Sequence, residues 1–149
     1  MVYGLFSGDV KYYYFLKPIM NYENFSSIPV TDNMSTPLIS VNPATTVFQI
    51  AKMMEQGEIG AIIVKENGNP VGIVTDRDFA IKIAVNNLSF DTPVEKIMSS
   101  PLITINHDES ISSAAKIMSS KKIRKLAVSE NDKIIGIITS TDIVNLIAK

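Results

Sequence analysis

One feature constrains this chain more than any other: it is written twice. Met34-Ser35-Thr36-Pro37-Leu38-Ile39 returns as Met98-Ser99-Ser100-Pro101-Leu102-Ile103, and Gly72-Ile73-Val74-Thr75 returns as Gly136-Ile137-Ile138-Thr139, both 64 residues on. Aligned without a gap, residues 34–85 and 98–149 are identical at 19 of 52 positions. A shared offset across two separated motifs marks a duplication, so any fold must be built from two like units. The whole chain has only 149 residues, so each unit is small.

Each copy reads as the same series of elements. A short strand is expected around Leu38–Val41 and Leu102–Ile105. A helix follows, opened by Thr45 or Thr46 in the first copy and Ser110 in the second, residues that cap free N–H groups. Its apolar positions, Val47, Ile50, Ala51 and Met54, fall at i, i+3, i+4 and i+7, as do Ile111, Ala114, Ala115 and Met118. Two apolar runs follow, Ala61–Val64 and Val71–Val74, around the turn Asn67-Gly68. Their counterparts are Leu126–Val128 and Ile134–Ile138 around Asn131-Asp132. A last helix starts at Thr75 or Thr139. The order is β-α-β-β-α, twice, which makes the fold class α/β.

The last helix is apolar on most sides, through Phe79, Ala80, Ile81, Ile83, Ala84 and Val85, or Ile143, Val144, Leu146, Ile147 and Ala148. One sheet covers one side, so the remainder calls for the other repeat or a second chain. A twofold homodimer through these helices is expected. Residues 86–97 form a connector with a short helix starting at Pro93. Residues 1–33 form an aromatic-rich arm without a counterpart in the other copy; it holds all five tyrosines. Val2–Phe6 and Val10–Phe15 suit a hairpin, a docked arm or a partly disordered segment. The domain plan is therefore arm 1–33, repeat 34–85, connector 86–97 and repeat 98–149.

Composition removes several functions. Lys+Arg total 14 against Asp+Glu 15, a balance unlike that of nucleic-acid or anionic-membrane binders. There are no cysteines and one histidine, His107, which leaves no thiolate or multi-histidine metal site. No apolar run approaches the roughly 20 residues of a membrane helix. The N-terminus lacks a charged segment leading to a cleavage site, so a cytoplasmic location is expected.

The residues with chemical potential are Thr75-Asp76-Arg77-Asp78 and Thr139-Ser140-Thr141-Asp142, where a strand runs into a helix. Thr-x-x-Asp at a helix start is, first, a capping box. The same atoms suit a nucleotide: free N–H groups and a hydroxyl for phosphate, and a carboxylate for a ribose diol.

With both motifs in place, residues 34–149 resemble the paired cystathionine β-synthase (CBS) domains of Bateman modules. The resemblance rests on the Gly-x-x-Thr-x-x-Asp element following the Met-Ser-x-Pro start in both copies. It implies a pseudo-twofold pair of repeats with two clefts that bind AMP, ADP, ATP or S-adenosylmethionine. Carried over, one cleft would use Thr75 on phosphate and Asp78 on ribose, with Ser100, Ile103, Ile123 and Arg124 against the base. The other would use Thr139 and Asp142, with Thr36, Ile39, Ile59 and Gly60. Family members often carry a basic pair before the second strand; here copy two has Arg124-Lys125 and copy one has Gly60-Ala61. With Arg77 added, the Thr75/Asp78 cleft is expected to be the stronger.

The function expected is that of a stand-alone regulatory sensor of an adenosine-containing small molecule, acting on an unidentified downstream protein. It requires no cofactor or metal. The alternative is a dimerisation or docking module without a ligand, its boxes serving only as caps. Catalysis is not expected, because each site offers one acid and one hydroxyl and no base to activate an attacking group.

Overall fold

The computed structural model describes residues 22–36 and 38–148. The expectations for Val2–Phe6 and Val10–Phe15 lie outside them. The described residues form two compact units, one of residues 38–103 and one joining 22–36 to 104–148.

The first unit contains β1 (Ser40–Val41), with α1 reserved for the short helix Tyr22–Phe25 of the other unit. Then come α2 (Val47–Gly57), β2 (Ala61–Glu66) and β3 (Asn69–Thr75). The run 76–86, α3, comprises Asp76–Asp78, a wider i→i+5 stretch Phe79–Ile83, and Ala84–Asn86. The second unit repeats the plan as β4 (Thr104–Asn106), α4 (Ile111–Lys121), β5 (Lys125–Glu130), β6 (Lys133–Thr139) and α5 (Ser140–Ala148). Each sheet has three strands, the first parallel to the second and the second antiparallel to the third. The expected β-α-β-β-α order holds in both copies. The first strands begin later than expected, because Leu38 and Leu102 precede the first paired residues, Ser40 opposite Ile63 and Thr104 opposite Ala127.

Local chemistry accounts for most boundaries. Thr46 caps α2 in a reciprocal box with Gln49, and Ser110 caps α4 by accepting from the Ser113 amide. The hairpin turns take positive φ at Asn67 and Gly68, and at Asn131 and Asp132, the type I′ geometry that matches strand twist. The first core gathers Val47, Ile50, Ile62, Val64, Val74, Val94 and Ile97, all fully buried. In the second unit Val30, Ile111, Ala114, Leu126, Val128 and Ile138 are fully buried.

The duplication extends further upstream than residue 34. Around Pro93, the Val47 amide donates to Thr92 O and the Val94 amide to Thr45 O. In the other unit the Ile111 amide donates to Ile28 O, and the Val30 amide to Glu109 O. Ile28-Pro29-Val30 thus does for α4 what Thr92-Pro93-Val94 does for α2, and residues 26–33 are a counterpart of 90–97 rather than part of an unmatched arm. The sequence carried the sign of this in a second Pro-Val step at the same 64-residue offset.

The two repeated motifs turn out to touch. Ser99 bridges Ile73 through two backbone hydrogen bonds (2.8 and 3.0 Å), and Ser35 bridges Ile137 in the same way (2.8 and 3.2 Å). A Cβ on Gly72 would lie 2.8 Å from both Met98 Sδ and Ser99 O. One on Gly136 would collide with Met34 Sδ. The glycine is demanded by the Met-Ser segment lying over it. Met98 covers the glycine of copy one, and Met34 that of copy two.

Candidate functional site

Both Thr-x-x-Asp elements form the capping boxes that their spacing predicts. In the first unit the Thr75 amide (2.8 Å) and hydroxyl (3.2 Å) both donate to Asp78 Oδ2. In the second, the Thr139 amide (2.8 Å) and hydroxyl (2.9 Å) donate to Asp142 Oδ2, while the Asp142 amide donates to Thr139 Oγ1 at 3.1 Å. Each aspartate therefore offers a potential ligand only its other oxygen, Oδ1.

There the copies part. Asp78 is only 7% exposed, and its Oδ1 meets Lys82 Nζ at 3.0 Å. The same ammonium donates to Ile97 O at 2.8 Å and, more weakly, to Ser99 Oγ at 3.4 Å. The Ser99 hydroxyl also reaches Asp78 Oδ1 at 3.4 Å. Asp142 is half-buried, and its Oδ1 has no partner among the described residues. The position matching Lys82 is Leu146. Lys82 and Ser99 were not singled out from the sequence. Asp78 and Lys82 stand four residues apart on one helix face, a spacing that signals an ion pair; the part played by Ser99 depends on the chain folding back across β3.

The remaining expected residues divide between the units. Thr75, Asp78, Ser100, Ile103, Ile39, Ile59 and Gly60 lie in the unit of residues 38–103. Thr139, Asp142, Thr36, Ile123, Arg124 and Lys125 lie in the other. Within the first, Gly60 O accepts the Asp76 amide at 3.2 Å and Ala61 pairs with Thr75. Within the second, Arg124 O accepts the Ser140 amide at 2.9 Å and Lys125 pairs with Thr139. The basic residues thus adjoin the Thr139/Asp142 box of their own copy. Arg77 is exposed, Ser100 and Thr36 are exposed, and Ile59 packs on the first core. His107 faces Glu130 at 3.7 Å near the surface, a pair worth little. Among the described residues no group of three or more His, Cys, Asp or Glu is placed to hold a metal, and no helix is long and apolar enough to cross a membrane.

Two α/β units of this order, each with a boxed Thr-x-x-Asp after its last strand, define a class of tandem α/β repeat. The family model described as "CBS domain" matches residues 26–85 and 94–149, and the chain belongs to that family. It is 33% identical over 114 residues to the CBS domain-containing protein YhcV of Bacillus subtilis, covering 76% of this chain and 81% of that one. It is 37% identical to an uncharacterized protein of Methanopyrus kandleri, of whose length it spans 63%. Among solved structures, an uncharacterized conserved protein from Pyrococcus horikoshii superposes with a TM-score of 0.78 at 30% identity, over 83% of this chain and 95% of that one. The CBS domain pair of protein MJ0100, solved in complex with 5′-methylthioadenosine and S-adenosyl-L-methionine, superposes with a TM-score of 0.73 at 30% identity, over 80% and 95%.

Proposed function

We propose that this chain is a regulatory sensor that binds an adenosine derivative, of the class that includes AMP, ADP, ATP and S-adenosylmethionine, and transmits its presence to a partner protein. The observation that carries the reading is the doubled box at a helix start, Thr75/Asp78 and Thr139/Asp142, in a chain similar to a pair that holds two adenosine derivatives. An aspartate oxygen accepts from a ribose hydroxyl, and helix-start amides and Arg124 or Lys125 favour a phosphate.

The role is binding rather than catalysis. Each box holds one carboxylate and one hydroxyl already bonded to each other, and among the described residues no further base is bonded to either hydroxyl. Ligand binding would act by differential affinity for two conformations of the chain. A homodimer fits the reading, because Ile81, Val85 and Val144 of the terminal helices are exposed.

Thermal melting tests this. A ligand at 100 times its dissociation constant adds about 2.7 kcal/mol to the stability of the fold that binds it. A clear upward shift with at least one of AMP, ADP, ATP, S-adenosylmethionine or 5′-methylthioadenosine is expected. Silence from all five favours the second reading, a docking or dimerisation module. One observation favours that alternative: both threonine hydroxyls already donate to their own aspartates, as caps need them to.

A further inference from the structure

The two acids occupy matching positions but present different outer oxygens. A lysine ammonium has three N–H donors and no acceptor, and all three of those on Lys82 have partners: Asp78 Oδ1, Ile97 O and Ser99 Oγ. The Asp78 carboxylate is almost wholly buried, so a ligand hydroxyl that displaced the ammonium would leave a buried charge without its counterion. A sugar diol cannot supply that charge. In the other unit Leu146 makes no such claim, and Asp142 Oδ1 has no partner among the described residues. Arg124 also adjoins the Asp142 box through its carbonyl, where copy one has only Gly60.

Resting on the adenosine-derivative reading above, we infer that Lys82 is an internal occupant of the copy-one acid. Asp142 alone remains as acceptor for a ligand's sugar, and the chain takes one adenosine-type ligand, not two. This reverses the order that the basic pair and Arg77 suggest from sequence, in which the Thr75/Asp78 site is the stronger. The specificity-determining residue is Lys82, through the acceptor it removes.

Calorimetric titration with AMP, ADP, ATP, S-adenosylmethionine and 5′-methylthioadenosine tests the assignment. The unmodified chain should take one equivalent, and Asp142→Asn should weaken binding at least tenfold. Lys82→Leu, which installs the copy-two residue, should raise the count to two. Leu146→Lys, which builds the same lock on Asp142, should weaken binding at least tenfold. Two equal equivalents in the unmodified chain, or one equivalent indifferent to Asp142→Asn, would overturn the inference while leaving the sensor reading intact. Binding of none of the five by the unmodified chain would overturn both. If Lys82→Leu fails to fold, the lock is read in the ligand-free chain by amine acylation: Lys82 should react at least tenfold more slowly than the exposed Lys52, and equal rates would overturn it.

Discussion

The unit of residues 38–103 and its counterpart share a plan but not a chemistry. What they share is what the fold requires: a capped first helix, a type I′ hairpin, a glycine under a Met-Ser segment, and a boxed last helix. They diverge in what surrounds these fixtures. Phe48 is 52% exposed, whereas its counterpart Ser112 is 5% exposed, with a hydroxyl that has no partner among the described residues. Ile50 fills a core position that Ala114 fills in the other copy, and Lys82 stands where Leu146 does. After duplication, positions that hold the backbone together are constrained in both copies. Side chains around the boxes are free to specialise, and one box has become an internal ion pair.

That contrast can be broken most forcefully in the cores. Ile50→Ala should cost about 2–5 kcal/mol, because a fully buried side chain would leave a cavity among neighbours that cannot collapse. Chemical denaturation reads this, and a loss below ~1 kcal/mol would mean that α2 repacks as though it were α4. Next come the glycines. Gly72→Ala and Gly136→Ala should each cost about 1–3 kcal/mol, since the new methyl meets a methionine and a backbone carbonyl. If only one of the two destabilises, the Met-Ser coverings are not equivalent.

The boxes should separate the units more finely. Asp78→Ala removes a cap acceptor and the buried carboxylate that pairs with the partly exposed Lys82, and should cost roughly 2–3 kcal/mol. Asp142→Ala removes only the cap and should cost about 1 kcal/mol. Equal losses in thermal melts would argue that the Lys82 pair contributes nothing to the fold. The smallest effect is a gain: Ser112→Ala should be neutral or stabilising by up to about 1 kcal/mol, because it removes a buried hydroxyl without a partner among the described residues. A measured loss there would reveal a hydrogen bond that the geometry does not show.

Most of this architecture was legible from the residues, and the reason is range. Thr46 with Gln49, Ser110 with Ser113, Asn67 with Gly68, and each Thr-x-x-Asp box involve partners within three residues, so the sequence displays both sides of each interaction. The site was half legible for the same reason. The boxes were visible, but the state of their outer oxygens was not, because the Ile97 carbonyl and Ser99 arrive at Asp78 and Lys82 from the end of the connector and the start of the next motif. The reach of the repeat upstream of residue 34 was missed because Ile28-Pro29-Val30 shares little more than a Pro-Val step with Thr92-Pro93-Val94.

By itself the sequence determined that two like units exist, which elements each contains, and where those elements start and turn. Only the tertiary structure decided which Met-Ser segment covers which glycine. The two segments are nearly identical, so nothing local distinguishes them. The choice falls to where the chain can run, and it sends Met98 back over the repeat that precedes it and Met34 onto the second repeat. Burial then set the difference between the acids, because a carboxylate withdrawn from water requires a cation and one left half in water does not.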